Sequence, residues 1–179
     1  MNYRIFYRTS ITLLLSIMTL NASHAQSLVW SQVLKSIRST YPAVHQISID
    51  SLARRLEDPK EPTPVLLDVR KPEEYAVSHL GGAIRIDPDM TDFSTLDRLD
   101  RNAPIIAYCS VGYRSSELAN RLLEAGFTNV SNLEGSIFAW ANAGRPVVRG
   151  DSVVQAVHPY NSLWGMLLNA ELRSYEPED

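Results

Sequence analysis

The sequence predicts an α/β domain whose parallel sheet is covered on both faces. Three observations carry this. Val65-Leu66-Leu67, Ala83-Ile84-Arg85-Ile86 and Pro104-Ile105-Ile106-Ala107-Tyr108 are short, nearly continuous apolar runs, as in strands buried on both sides. Amphipathic helical stretches alternate with them. The composition, 45% hydrophobic and 21% charged, is that of an ordinary globular chain, and 179 residues suit one domain.

Residues 1–25 read as a cleaved secretory signal ahead of the fold. Arg4 and Arg8 give a positive start without acidic residues, and Ile11 to Leu20 form a short apolar stretch. Ser23 and Ala25 supply small side chains two positions apart, placing the cut after Ala25. The apolar stretch falls short of the roughly 20 residues of a bilayer-spanning helix. The expectation is an exported protein, periplasmic or secreted, with no membrane attachment after cleavage; an uncleaved anchor is the alternative.

Residues 26–44 form an N-terminal helix packed on the domain surface. Val29, Val33 and Ile37 recur every four positions with Leu34 alongside, and Pro42 ends the helix. The main domain runs from 45 to 149. Ile47 to Ile49 is a strand candidate. Asp50 is placed to cap a helix bearing Leu52 and Leu56, which stops at Pro59. Three prolines between Pro59 and Pro64 make a loop. Phe93, Leu96 and Leu99 suggest a helix. Residues 115–125 form another, with Leu118 and Leu122 one turn apart, Leu123 beside them and Gly126 as the stop. Asn129-Val130 leads into a further strand. Ser136 is placed to cap a last helix bearing Ile137, Trp140 and Ala141, ended by Gly144 and Pro146. Residues 150–179 break the rhythm: a tail with a short helix around Leu163, Trp164, Met166 and Leu167, and an end, YEPED, expected to fray.

Charge and cysteine content exclude several functions. The 17 Lys+Arg against 20 Asp+Glu give a formal charge of -3, which argues against nucleic-acid binding. The single cysteine, Cys109, permits neither an internal disulfide nor a classical structural zinc site, so no metal is expected. It is either an inert thiol or one with a task.

Its neighbours favour a task. Residues 109–115, CSVGYRS, join the end of a strand to the start of a helix. Gly112 lets the loop curl. A curled loop feeding a helix turns successive N–H groups toward one point and makes an anion site. Such a site lowers the pKa of Cys109. Arg114 adds a charge at the rim and a planar fork for an oxyanion. Ser115 is placed to cap the helix. Ser110, Val111 and Tyr113 are expected to project from the loop and tune substrate choice.

The sequence resembles the rhodanese family of single-domain sulfurtransferases. The matching pieces are LLDVRKPEEYAVSHLGGAIRI at 66–86, IIAYCSVGYRSSELANRLLEAGFTNVSNLEGSIFAW at 105–140 and GRPV at 144–147, in the family's order. The resemblance implies a doubly wound, five-stranded parallel sheet with Cys109 as catalytic nucleophile. It implies transfer of a sulfane sulfur from a small sulfur-containing anion such as thiosulfate to a thiol or cyanide, through a Cys109 persulfide, without a cofactor. A protein sulfur acceptor is a further possible partner. Asp68 and Arg70 stand as support behind the loop, with a surface ion pair as the alternative. Glu74, Tyr75 and His79 match the family's short helix and turn, with His79 holding the turn. Gly81, Gly82 and Gly135 read as backbone requirements, Trp140 as core and His158 as structural.

Two rival functions remain. A cysteine phosphatase also uses Cys and Arg on a strand–loop–helix, but resemblance to that group requires five residues between them; here there are four, Ser110 to Tyr113, and Tyr108 stands where that group has a His before the Cys. The other is a non-catalytic rhodanese-like binding module, docking partners through the tail and N-terminal helices.

Overall fold

The computed structural model describes residues 25–177. Residues 1–24, which hold all but the last residue of the expected signal, and the final two residues lie outside that range.

Five strands form the expected parallel sheet: β1 (His45–Ile47), β2 (Val65–Asp68), β3 (Ile84–Arg85), β4 (Ile105–Tyr108) and β5 (Val130–Leu133), in the order β1-β5-β4-β2-β3. A strand's alternating side chains serve both layers. Leu66, Ile106 and Tyr108 enter one core and Leu67, Ile105 and Ala107 the other. Helix α4 (Tyr113–Glu124) covers the second face with Leu118, Ala119 and Leu122. On the first face lie α2 (Ile49–Glu57) and α5 (Ser136–Asn142). Each fully buried leucine contributes about 1.5–3 kcal/mol of transfer free energy. The short α3 (Pro72–Val77) follows β2. An antiparallel ribbon of β6 (Val147–Arg149) and β7 (Ser152–Val154), not expected from the sequence, leads into the tail.

The segments flanking the sheet are built into the core. Helix α1 (residues 25–40) buries Ile37 and rests Trp30 and Val33 on the first core. The tail sends Val157, Leu167 and Leu168 into that same core. Asn142 brackets it, donating to the Leu167 carbonyl at 2.8 Å and accepting from the Asn169 N–H at 2.8 Å. The expected tail helix is α6 (Ser162–Gly165), whose N-cap Asn161 accepts from the Trp164 N–H.

Four local expectations are corrected. Ser48, not Asp50, caps α2, accepting from the Ser51 N–H at 3.2 Å; both residue types cap, and the chain turns one residue past β1. Phe93 and Leu99 flank, and Leu96 ends, a 3₁₀ turn, Ser94–Leu96, in place of the expected α-helix. Their strict spacing of three matches a 3₁₀ period. Gly135, at φ +72°, occupies the cap position of α5 in place of Ser136. A side chain at Gly81 meets nothing within 4 Å and its φ is unexceptional, so only Gly82 (φ +73°) and Gly135 are backbone requirements of that trio.

Candidate active site

Strands β2 and β4 are neighbours, and the chain leaves their carboxyl ends in opposite directions, toward β3 and β5. That arrangement opens a crevice beyond the strand ends, where ligands of such sheets bind. Asp68 pairs in register with Tyr108, so Arg70 and Cys109 both emerge there.

The loop after β4 curls as its glycine predicts. Gly112 sits at φ +122° as the N-cap of α4, and its N–H donates to Cys109 Sγ at 3.2 Å. Burial pushes the Cys109 thiol up, but the Arg114 guanidinium, the Ser115 hydroxyl and the Ser115 and Gly112 amides outweigh it and hold the thiol below its ordinary range. The Ser115 hydroxyl has a single proton and here donates to Asn132 Oδ1 at 2.6 Å, so the amides are the firmer partners of the sulfur. Ser115 therefore does not cap α4, which begins two residues earlier at Tyr113. A lowered pKa means thiolate accumulates at lower pH. Alkylation of Cys109, the chain's one thiol, is expected to reach half its limiting rate below the ordinary thiol midpoint of about 8.5. Arg114→Ala is expected to move that midpoint upward.

Arg114 is not a free fork at the rim. Its Nη1 and Nη2 donate to Glu74 Oε2 and Oε1 at 2.7 and 2.8 Å, and Nη2 also donates to Ser110 Oγ at 3.0 Å. Ser110 donates in turn to Glu74 Oε1 at 3.0 Å. Glu74 is 1% exposed. Burial pushes its carboxyl up, but the Arg114 bonds and charge, the Lys71 N–H and Arg70 hold it below the usual range. Ser110 thus faces a buried carboxylate, and Val111 packs into the first core, rather than both projecting as expected. Tyr113 does border the site, its hydroxyl paired with Ser36 Oγ of α1 at 2.5 Å.

Asp68 and Arg70 are fully buried, which rules out the surface pair. Arg70 Nη2 donates to Asp68 Oδ2 at 2.7 Å and to the Ser78 carbonyl at 2.6 Å. The Tyr108 hydroxyl accepts from the Leu80 N–H at 3.0 Å. Together they fix the turn after α3. His79 also holds this turn, stacked on Tyr75 with ring centroids 3.9 Å apart. None of Asp68, Arg70 and His79 borders the space above Cys109.

Sequence reasoning missed three contributors. Ser136 Oγ accepts from the Cys109 N–H at 3.1 Å, clamping the loop from α5; its cap-like character pointed to a different role. Tyr160 and Trp164, from the tail, join Cys109, Ser110, Val111, Tyr113 and Arg114 around a cavity of about 150 Å³. The Arg114 guanidinium lies 4.8 Å from the Tyr160 ring centroid. No local signal marks either aromatic, because their contacts are tertiary.

Residues 48–143 match the model of the rhodanese-like domain family, more than half of the chain. The chain belongs to that family. A sulfurtransferase of Allochromatium vinosum is 30% identical over 105 residues, covering 59% of this chain and 95% of the relative. The thiosulfate sulfurtransferase GlpE of Pseudomonas fluorescens is 32% identical over 82 residues, covering 45% of this chain and 73% of the relative. The crystal structure of the Alr3790 protein from Anabaena superposes with a TM-score of 0.52 at 30% identity, covering 57% of this chain and 90% of that one. In this rhodanese-like domain the loop 109–115 lies inside the matched span. Helix α1 and the tail from Val147 onward lie outside it, yet both reach the Cys109 loop.

Proposed function

We propose that the chain is a sulfurtransferase that carries sulfane sulfur as a persulfide on Cys109. The carrying observation is the Gly112 N–H aimed at Cys109 Sγ on the floor of a cavity, with the thiol held below its ordinary range. Membership of the rhodanese-like family and relatives named as sulfurtransferases support the reading.

With thiosulfate as donor, the Cys109 thiolate attacks the outer sulfur. A new S–S bond forms, the donor's S–S bond breaks, and its electron pair leaves on sulfite. The persulfide anion is held by the amides that held the thiolate. Cyanide or a thiolate then attacks the outer sulfur, takes it, and returns the electron pair to Cys109. Splitting the transfer in two is ordinary nucleophilic catalysis. Within the chain, Arg114 has a different part from the one its residue type suggests. Its charge lowers the thiol pKa, while its fork is committed to Glu74.

Purified protein mixed with thiosulfate and cyanide is expected to release thiocyanate, and protein given thiosulfate alone to gain one sulfur atom, about 32 Da, by intact mass. Cys109→Ser is expected to lose both. Wild-type protein with neither turnover nor adduct would instead favour the non-catalytic binding module. We also propose that export removes residues 1–25; the intact mass of protein recovered from a bacterial host should then begin at Gln26.

A further inference from the structure

We propose that Tyr160, backed by Trp164, sets which thiol-reactive species reach Cys109, admitting slender ones and delaying bulky ones. Its meaning for sulfur transfer rests on the function proposed above; the steric claim does not.

Cys109 is 1% exposed and lies on the floor of a cavity of about 150 Å³. At roughly 30 Å³ per liquid water, that space suits a small inorganic species or the end of one chain. The tail's contribution to the wall is Tyr160 and Trp164. The two are held differently. Trp164 is fixed: it packs on the first core and edge-on against Tyr113, ring centroids 6.2 Å apart. Tyr160 is 38% exposed and stands at φ +65°, a conformation that costs a non-glycine residue energy and persists only where its surroundings impose it. Here the imposition is local. The Tyr160 N–H donates to His158 Nδ1 at 3.0 Å, and the His158 ring packs edge-on against Tyr175 at 5.2 Å. What keeps the Tyr160 side chain over the site is its ring on the Arg114 guanidinium. A bulky reagent must break that contact to pass; a slender one need not.

The test uses the full chain and its single thiol. Alkylation rates are measured with slender iodoacetamide and bulky N-phenylmaleimide, and the bulky-to-slender ratio is taken. Any shift in thiolate fraction affects both rates and cancels. Tyr160→Ala is expected to raise the ratio about fivefold, the factor that corresponds to losing a cation–π contact at a partly exposed site. Tyr160→Gly, which suits the backbone angle, is expected to do the same. Tyr160→Phe, which keeps the ring, should leave the ratio unchanged. An unchanged ratio in the Ala and Gly variants overturns the proposal. So does an equal rise in Tyr160→Phe, or a rise accompanied by a red-shifted tryptophan emission, which signals an unseated tail. If wild-type protein makes no thiocyanate, the sulfur-carrier reading fails while the alkylation ratio still decides the steric claim.

Discussion

Asp68→Ala is expected to cost about 3–5 kcal/mol of folding stability, the range for removing one partner of a buried ion pair. Asp68 and Arg70 have no exposed side-chain surface. Asp68 accepts from the Arg70 main-chain N–H and from its Nε and Nη2. Without the carboxylate, the buried guanidinium keeps the Ser78 carbonyl and little else, since its Nη1 already lacks a partner. Urea unfolding should show a lower midpoint at an unchanged slope. Arg70→Met combined with Asp68→Leu is expected to recover much of the loss, because a buried pair replaced by apolar side chains is often neutral. A loss under about 1 kcal/mol in the single variant would show that the pair does not carry the turn after α3.

Gly112→Val is expected to destabilise the fold by about 2–5 kcal/mol and to raise the Cys109 pKa together. Two causes add. The glycine stands at φ +122°, which β-branched residues resist. A Cβ there would lie 3.2 Å from both Ile37 Cδ1 and Asn132 Nδ2. Relief of either strain moves the Gly112 N–H away from Sγ. The pH midpoint of alkylation should therefore rise, and sulfur transfer at neutral pH should fall with it. An unaltered midpoint in folded Gly112→Val protein would contradict the curled-loop geometry. Arg114→Ala has a related double effect. It strips Glu74, 1% exposed, of its bidentate partner, so it harms folding as well as the thiol. Glu74 is held below its ordinary range; its stabilising contribution is therefore present above the usual carboxylate pKa and fades as pH falls through the lowered value.

The strands and most helices were legible because buried parallel strands and amphipathic helices write their burial into local patterns. Leu66-Leu67 and Ile105-Ile106 feed opposite cores exactly one residue apart, as pleating requires. The Cys109 loop was legible for the same reason: a glycine that curls and amides that converge are properties of seven consecutive residues. The commitments of side chains were not. The forked donor of Arg114 looks equally suited to a substrate oxyanion and to Glu74, forty positions away. Val111 seemed free to project, and only the direction in which the loop leaves β4 turns it inward. Ser115 and Ser136 have cap-forming side chains, but glycines take the cap positions and free both hydroxyls for partners across the fold. Tyr160 and Trp164 belong to a stretch without periodicity, and nothing short of the tertiary arrangement brings them to the cysteine.

Leu167 and Leu168 complete the same apolar interior as Leu52 and Leu66. During synthesis, that interior stays incomplete until Leu167 and Leu168 have emerged from the ribosome. The first core therefore closes late, after the sheet and its helices have been made. Trimming the gene to the stretch shared with relatives would take Val157, Leu167 and Leu168 out of that core and yield an adhesive fragment.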